Sequence, residues 1–362
     1  MARISIIGTG LIGTSMALAL RNAGIKNLEL VGTDQNSSAR AGAAKRKVFD
    51  RMENRLTPAV RDADIVIVAT PVMAMRDLLS TIASDLPDGC VVTDVGSSKK
   101  VVLEWAEEVL PKRVHFVGGH PMAGKETSGP ETADGNLFKD KTYCIVPSPT
   151  ADKIAVSEIT SLAEAVGARP FFIGVEEHDS FVAAVSHLPF MMSVALVNTA
   201  SKSANWEDIA QLASSGFRDL SRLASGDTVM HRDICVSNPQ PIVAWIDAFI
   251  RELYDVRKML DDSDGPRGEE LHQVFEDASL ARAKWQAGIV SRQNTSAAEI
   301  PSFSENMGEM FMGRKAMEAQ KRFFAGSKDA SQKDKEPSSP GFPQVSFYKN
   351  GSIIVGHQKS KI

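Results

Sequence analysis

Cysteine is scarce in this chain, and its three copies lie far apart. Cys90, Cys144 and Cys235 are the only ones among 362 residues, so the sequence has neither a disulfide framework nor the paired-cysteine spacing of a zinc site. We expect each to be a small core residue. Hydrophobic residues make up 43% of the chain, which is ordinary for a globular protein.

An excess of charge of one sign is also absent. The net charge of −4, from 41 basic and 45 acidic residues, gives no reason to expect nucleic acid or an anionic membrane as a partner. No apolar run is predicted to span a bilayer, and no signal peptide is predicted before the first strand. No group of metal-ligand residues is visible. These absences predict a soluble, cytoplasmic protein without a metal.

What the sequence does contain, at its start, is a dinucleotide fingerprint. Residues 3–7 predict a buried parallel strand, and the residues after it fit G-x-G-x-x-G before a helix predicted over Leu11–Asn22. In such a turn Gly8 permits the tight bend, Gly10 lets a pyrophosphate approach, and Gly13 lets helix and strand pack closely. The predicted cofactor residues of this turn are Gly8, Gly10, Leu11, Ile12 and Gly13.

A second predicted strand, residues 28–33, ends at Asp34. An acid in this place can bind the adenosine ribose hydroxyls and would repel a 2′-phosphate, so the sequence favours NAD over NADP. Arg40 follows and could reach a phosphate, which keeps NADP open. A glycine-rich turn without any ligand is the alternative interpretation.

Further strands are predicted at residues 64–70, 90–95 and 115–118, with helical spacing between them. This alternation predicts an α/β, Rossmann-like, doubly wound parallel sheet. Ligands bind beyond the carboxyl ends of such strands. The residues expected there are Thr70 and Pro71, near the cofactor, with Gly96, Ser97 and His120.

Helices replace this alternation beyond about residue 170. Residues 176–203 predict one long helix, apolar on most faces, that must be buried in a bundle or a subunit interface, and Pro189 must kink it. More helices are predicted at residues 206–213, 228–236, 241–260 and 268–286. A helical domain with so much apolar surface predicts a homodimer.

The sequence therefore predicts three regions. Residues 1–170 form a nucleotide-binding domain, residues 171–288 form a helical substrate and dimerisation domain, and residues 289–362 form a largely disordered tail. Within the tail, two β-rich runs flank Asn350 and Gly351, which predicts a hairpin.

Four polar residues are candidates for chemistry. His120 lies in the run Gly-Gly-His-Pro-Met-Ala-Gly, and a base that works at neutral pH beside a redox cofactor is what alcohol oxidation requires. Ser97 could cap a helix or donate to a substrate. His187 could equally be a core histidine, and Arg222 could be a solvated surface arginine.

Several segments, taken together, resemble the prephenate dehydrogenases and the related arogenate (cyclohexadienyl) dehydrogenases. The most specific are Gly-Gly-His-Pro-Met-Ala-Gly at residues 118–124 and Ser-Gly-Phe-Arg-Asp at residues 215–219, supported by residues 94–99, 178–179 and 186–189. The resemblance implies a Rossmann domain joined to an all-α dimerisation domain. It also implies NAD-dependent oxidative decarboxylation of prephenate in tyrosine biosynthesis.

The resemblance implies a role for each matching residue. His120 takes the proton of the ring hydroxyl, Ser97 contacts that hydroxyl, and Arg222 holds a substrate carboxylate through its bidentate fork. Glu126 and Asp219 help to gate and order the pocket. His187 is the histidine of the helix motif.

Two departures from the family pattern leave the substrate open. Phe190 stands where many members have a histidine, and His231 stands where many have a tryptophan. Arogenate therefore remains an alternative to prephenate. A β-hydroxyacid dehydrogenase and a non-catalytic NAD-binding protein are further alternatives, against which the two specific motifs argue.

Overall fold

The computed structural model describes residues 2–148, 150–261, 267–290, 344–348 and 352–356. They fall into two compact units, one up to Asp247 together with the two C-terminal strands, and one from Ala248 onward. Most of the tail predicted to be disordered, residues 291–343 and 357–362, lies outside the described residues.

An eight-stranded sheet forms the centre of the first unit, in the order β3-β2-β1-β4-β5-β6-β7-β8. Its strands are β1 (Ala2–Ile7), β2 (Leu28–Thr33), β3 (Arg51–Glu53), β4 (Ile65–Val68), β5 (Val91–Asp94), β6 (His115–Pro121), β7 (Thr142–Pro147) and β8 (Arg169–Phe172). Neighbours are parallel except β6 and β7. The predicted doubly wound fold is confirmed, and β3, β7 and β8 extend the predicted sheet.

Six helices flank these strands: α1 (Leu11–Asn22), α2 (Ser37–Lys45), α3 (Leu56–Val60), α4 (Met75–Ile82), α5 (Lys100–Val109) and α6 (Lys153–Ala165). Strand β4 reads Ile-Val-Ile-Val and is buried throughout, as expected of a parallel strand covered on both faces. Because β1, β4, β5 and β6 pair in parallel, the residues that follow them lie at one edge of the sheet.

Between residues 175 and 286 the described part of the chain is mostly helical, as predicted. Its helices are α7 (Val175–Val182), α8 (Leu188–Ser201), α9 (Trp206–Leu212), α10 (Ser215–Ser221), α11 (Thr228–Ser237), α12 (Pro239–Asp261) and α13 (Arg267–Gln286). A π-helical segment, Ala183–His187, joins α7 to α8. Pro189 has no N–H to offer the carbonyl four residues earlier, and the wider π turn just before it accommodates the predicted distortion.

The prediction that no segment could span a bilayer is wrong by length and composition. The continuous helical stretch Val175–Ser201 has 27 residues, and the mean hydropathy of its most apolar window is 1.8. In the single chain, 28% of that window is buried. The polar residues His178, Asp179 and His187 interrupt the apolar sequence of this stretch. All three side chains are buried against the rest of the first unit.

Two short strands lie near the C-terminus. β9 (Gln344–Tyr348) and β10 (Ser352–Gly356) pair antiparallel, with Tyr348 opposite Ser352. The Asn350-Gly351 turn from which a hairpin was predicted lies outside the described residues.

Candidate active site

The glycine turn after β1 has the shape of a dinucleotide cradle. A Cβ on Gly8, whose φ is +97°, would lie 2.3 Å from the Ala69 carbonyl oxygen, and one on Gly13 would lie 1.9 Å from the Gly8 carbonyl oxygen. Gly10 instead has nothing within 4 Å and precedes α1 without a side-chain cap. Gly8 and Gly13 thus close the turn, and Gly10 leaves open space before the N–H groups of Leu11 and Ile12.

Asp34 lies beside this turn, at the end of β2. Its carboxylate accepts hydrogen bonds from the backbone N–H of Thr9 at 2.7 Å and of Asn36 at 2.8 Å. The Arg40 guanidinium donates to the Asp34 carbonyl oxygen and, at 3.2 Å, to that of Gln35. An acid and a cation therefore lie together where the adenosine ribose of a dinucleotide would bind.

The end of β4 completes the cradle. Thr70 and Pro71 follow this strand, and a Cβ on Gly8 would lie 3.1 Å from the Thr70 backbone nitrogen. The Thr70 hydroxyl is buried and has no hydrogen-bond partner among the described residues. A buried hydroxyl without a partner is costly, so the residues here fit a ligand with polar groups, as a nicotinamide cofactor has.

A buried ion pair supports the next part of the edge. Lys99 Nζ contacts Asp94 Oδ2, and the two side chains are 0% and 1% exposed. Asp94 also accepts from the backbone N–H of Gly96 at 2.8 Å and of Gly119 at 3.2 Å. These bonds fix the loop after β5 to the end of β6, where His120 lies.

His120 begins a chain of three hydrogen-bonded side chains. Its Nδ1 lies 2.9 Å from Nε2 of His178, whose Nδ1 lies 2.7 Å from Oδ1 of Asp179. The Asp179 carboxylate also accepts from the backbone N–H of Lys99 at 2.8 Å and of Lys100 at 2.9 Å. It thereby satisfies two free N–H groups at the start of α5 and joins α7 to the sheet.

Burial controls the protonation of these groups. Burial, followed by the charges of His178 and Lys99, holds the pKa of His120 well below its usual range. Burial also lowers the pKa of His178, although Asp179 opposes it. Burial alone would raise the pKa of Asp179, but the bonds from His178 and the α5 amides outweigh it and lower that pKa. Both imidazoles are therefore neutral near pH 7.

His187 is buried in the π-helical segment of the same region. Its Nδ1 lies 3.3 Å from the amide nitrogen of Asn238, which also donates to the Asp179 carbonyl oxygen at 2.8 Å. Its Nε2 is buried without a partner among the described residues. Burial lowers the pKa of His187 to about 4, so this ring too is neutral.

The two serines after Gly96 have different environments. Ser98 is fully buried and donates to Ser237 of α11 at 2.7 Å. Ser97 is half-buried, and in the part of the chain described here its hydroxyl has no bonding partner. Ser98 therefore joins the helices to the sheet, while Ser97 presents a free hydroxyl near the strand ends.

Arg222 forms an ion pair with Glu126, across 96 residues of sequence. Both side chains are 55% exposed, so solvent weakens the pair. The structure thus brings two predicted pocket residues together and keeps their charged groups reachable. Asp219, in α10, is exposed and has no ion-pair partner among the residues that the structure describes.

The two departures from the family pattern contact each other. The rings of Phe190 and His231 are stacked, with centroids 4.3 Å apart and planes 3° from parallel. His187 lies 6.1 Å from Phe190, centroid to centroid. Phe190 is buried, in a small apolar cluster with Ala183 and Ile234.

The site contains residues for which no role was predicted from the sequence. His178 and Asp179 belong to one of the family segments, and so do Asp94 and Lys99, but no function was predicted for any of them. A usable signal existed, because adjacent His and Asp in an apolar helix must find polar partners when buried. The identity of those partners could not be predicted.

The fold and the site define a dinucleotide-dependent dehydrogenase with a helical second region. Residues 16–171 match the family model for the prephenate dehydrogenase nucleotide-binding domain, and residues 174–277 match that for the prephenate dehydrogenase dimerization domain. The chain is 34% identical to the prephenate dehydrogenase of Bacillus subtilis, over 83% of this chain and 78% of that one. It belongs to the prephenate dehydrogenase family.

Solved structures of prephenate and arogenate dehydrogenases are similar to this chain. The prephenate dehydrogenase of Aquifex aeolicus, in complex with hydroxyphenyl propionate and NAD+, is 30% identical with a TM-score of 0.73, over 78% of this chain and 98% of that one. The arogenate dehydrogenase of Synechocystis is 28% identical with a TM-score of 0.67, over 78% and 99%.

Proposed function

We propose that this protein catalyses the oxidative decarboxylation of prephenate with NAD+, a step of tyrosine biosynthesis. The observation that carries the proposal is a neutral, buried His120 at the strand edge that also holds the dinucleotide cradle. When bound there, the nicotinamide accepts a hydride. His120 takes the proton of the ring hydroxyl, carbon dioxide leaves, and the ring becomes aromatic.

The environment of His120 suits a base. Its Nδ1 is held by His178, its Nε2 bonds no described residue, and the ring remains 8% exposed. A neutral imidazole fixed through one nitrogen presents the lone pair of the other to a substrate. Ser97, with its free hydroxyl, is proposed to contact the same substrate hydroxyl.

Arg222 is proposed to hold a substrate carboxylate. Its guanidinium can form two parallel hydrogen bonds with a carboxylate, and it already contacts the Glu126 carboxylate through one nitrogen. A substrate carboxylate would compete with Glu126 for this cation, so Glu126 is proposed as a gate. Asp219 and His187 are proposed to order the pocket, His187 through the unpartnered Nε2.

NAD+ is proposed as the cofactor in preference to NADP+. Asp34 presents a carboxylate where a 2′-phosphate would bind, and two backbone N–H groups fix that carboxylate in place. Arg40, which lies on the carbonyl of Asp34, is the feature that favours the alternative.

Arogenate is the second candidate substrate, and the stacked pair of Phe190 and His231 favours it. An aromatic hydrocarbon at position 190 cannot donate to the ketone by which prephenate differs from arogenate. A paired assay separates the candidates: purified protein with prephenate or arogenate, each with NAD+ or NADP+. The four kcat/KM values identify substrate and cofactor together, and the absence of turnover with both substrates would contradict the proposal.

We further propose a cytoplasmic homodimer built on the helical region. The matched dimerization-domain model supports this, and so do large apolar side chains that are exposed in the single chain. Among them are Phe181, Val185, Leu212, Leu220, Val236 and Val243. We propose residues 1–170 and 171–288 as the two domains; the end of one family model at residue 171 and the start of the other at residue 174 support a boundary near residue 170.

A further inference from the structure

We infer that His178 and Asp179 form a proton relay behind His120. Asp179 fixes the tautomers of both imidazoles, and His178 receives the Nδ1 proton of His120 after His120 has taken the substrate proton. This inference rests on the proposed function, because it concerns how the base of that reaction is prepared and where its charge goes. The juxtaposition that carries it is the unbroken series His120, His178, Asp179, with contacts of 2.9 and 2.7 Å.

The hydrogen bonds of Asp179 determine the tautomers of His178 and His120. An ionised carboxylate only accepts hydrogen bonds, and both its oxygens already face N–H groups of α5. His178 must therefore donate from Nδ1, and a neutral His178 must accept at Nε2. The bond from His120 is then donated by Nδ1–H, which leaves the lone pair of His120 Nε2 free for the substrate.

The same geometry gives the proton a path. The substrate hydroxyl proton moves to Nε2 of His120 while the electron pair of that O–H bond forms the carbonyl as hydride leaves. The Nδ1 proton of His120 then moves to Nε2 of His178. Positive charge comes to rest on His178, 2.7 Å from the Asp179 carboxylate, and His120 remains neutral.

The surrounding charges favour this final location. The titratable and charged groups that face the two rings are Asp94 and Lys99 from the β5–α5 segment, Asp179 from α7 and His187 from the π-helical segment. Lys99 opposes a cation on either ring, and Asp179 favours one on His178 alone. A first proton therefore binds His178 more readily than His120.

His178→Gln tests the relay. The glutamine oxygen can still accept from His120 but cannot take a proton, so we expect kcat at pH 7 to fall at least about 10-fold with little change in KM. The acidic limb of the pH profile of kcat/KM should move to lower pH, because the first proton must now bind the less basic His120. Loosened packing alone would admit water and move it upward, toward the ordinary imidazole value.

The matched control is His115→Gln, at the other end of β6, with melting temperature and NAD+ affinity measured for both variants. A His178→Gln enzyme with kcat within threefold of wild type, or an acidic limb unmoved or moved upward, overturns the relay.

If that variant does not fold, long-range ¹H–¹⁵N correlation spectra of the ¹⁵N-histidine-labelled wild type decide. A proton on His178 Nε2 rather than Nδ1 would overturn the relay. Lack of turnover by the wild type would instead contradict the proposed function and leave the tautomers measurable.

Discussion

At the scale of single residues, the site combines neutral bases with a reachable cation. Three buried histidines have lowered pKa values, whereas the guanidinium of Arg222 remains half exposed. The proposed proton acceptance and the proposed substrate binding thus depend on different environments, and variants should separate them.

His120→Asn should remove proton acceptance and keep a polar side chain. We expect kcat to fall by about two orders of magnitude or more, with a modest change in KM. Steady-state kinetics with prephenate and with arogenate measure this, with His115→Gln as the control on the same strand. A variant within threefold of wild type would mean that another residue is the base.

Arg222→Ala should raise KM strongly, because the substrate carboxylate loses its cation. The expected scale is roughly 2 kcal/mol or more in kcat/KM, and Arg222→Lys should restore only part of it, since an ammonium cannot form the two parallel bonds. NAD+ affinity should not change. Arg218→Ala, an exposed arginine of the same motif, is the matched control. If only the control affected KM, then Arg218 would bind the carboxylate.

At the scale of elements, the amino ends of the strands hold a second group of acids. Glu158 of α6 is 7% exposed. It lines a crevice of about 510 Å³ together with Asp64, Asp152 and His115. Burial, followed by the charges of Asp64 and Asp152, raises the pKa of Glu158 to about 7. The ionised form of this side chain therefore destabilises the fold.

This shift predicts a pH-dependent stability. Because the pKa is raised in the folded state, the folded protein binds the proton more tightly than the unfolded chain, and that stabilisation is lost as pH rises from about 4.5 through 7. Glu158→Gln should thus raise the free energy of unfolding at pH 8 by on the order of 1–3 kcal/mol and change it little at pH 5. Denaturant unfolding at both pH values measures this. Glu164→Gln, exposed on the same helix, should have no effect, and equal effects of Glu158→Gln at pH 5 and 8 would contradict the prediction.

At the scale of the whole molecule, we expect a second chain to cover the apolar surface of the helical region. Leu212 is 85% and Leu220 69% exposed in the single chain, and exposed apolar side chains of this size mark an interface. Light scattering at micromolar concentration should give twice the chain mass of 39.1 kDa. A monomer mass at that concentration would contradict the dimer.

The sequence by itself determined the features that local physics controls. Glycine conformational freedom fixed the turn after β1, buried apolar runs gave β1, β2 and β4–β6, and helical periodicity gave α1 and α11–α13 within a few residues. Pro189 predicted the distortion before α8, because a missing N–H acts on its own helix whatever surrounds it.

Only the tertiary structure decided which side chains meet. His120 reaches His178 across 58 residues, Glu126 reaches Arg222 across 96, and Ser98 reaches Ser237 across 139. No periodicity encodes such partners, because they depend on how the helices pack on the strand ends. The sequence can predict that a buried polar residue needs a hydrogen-bond partner, but only the fold determines which residue that partner is.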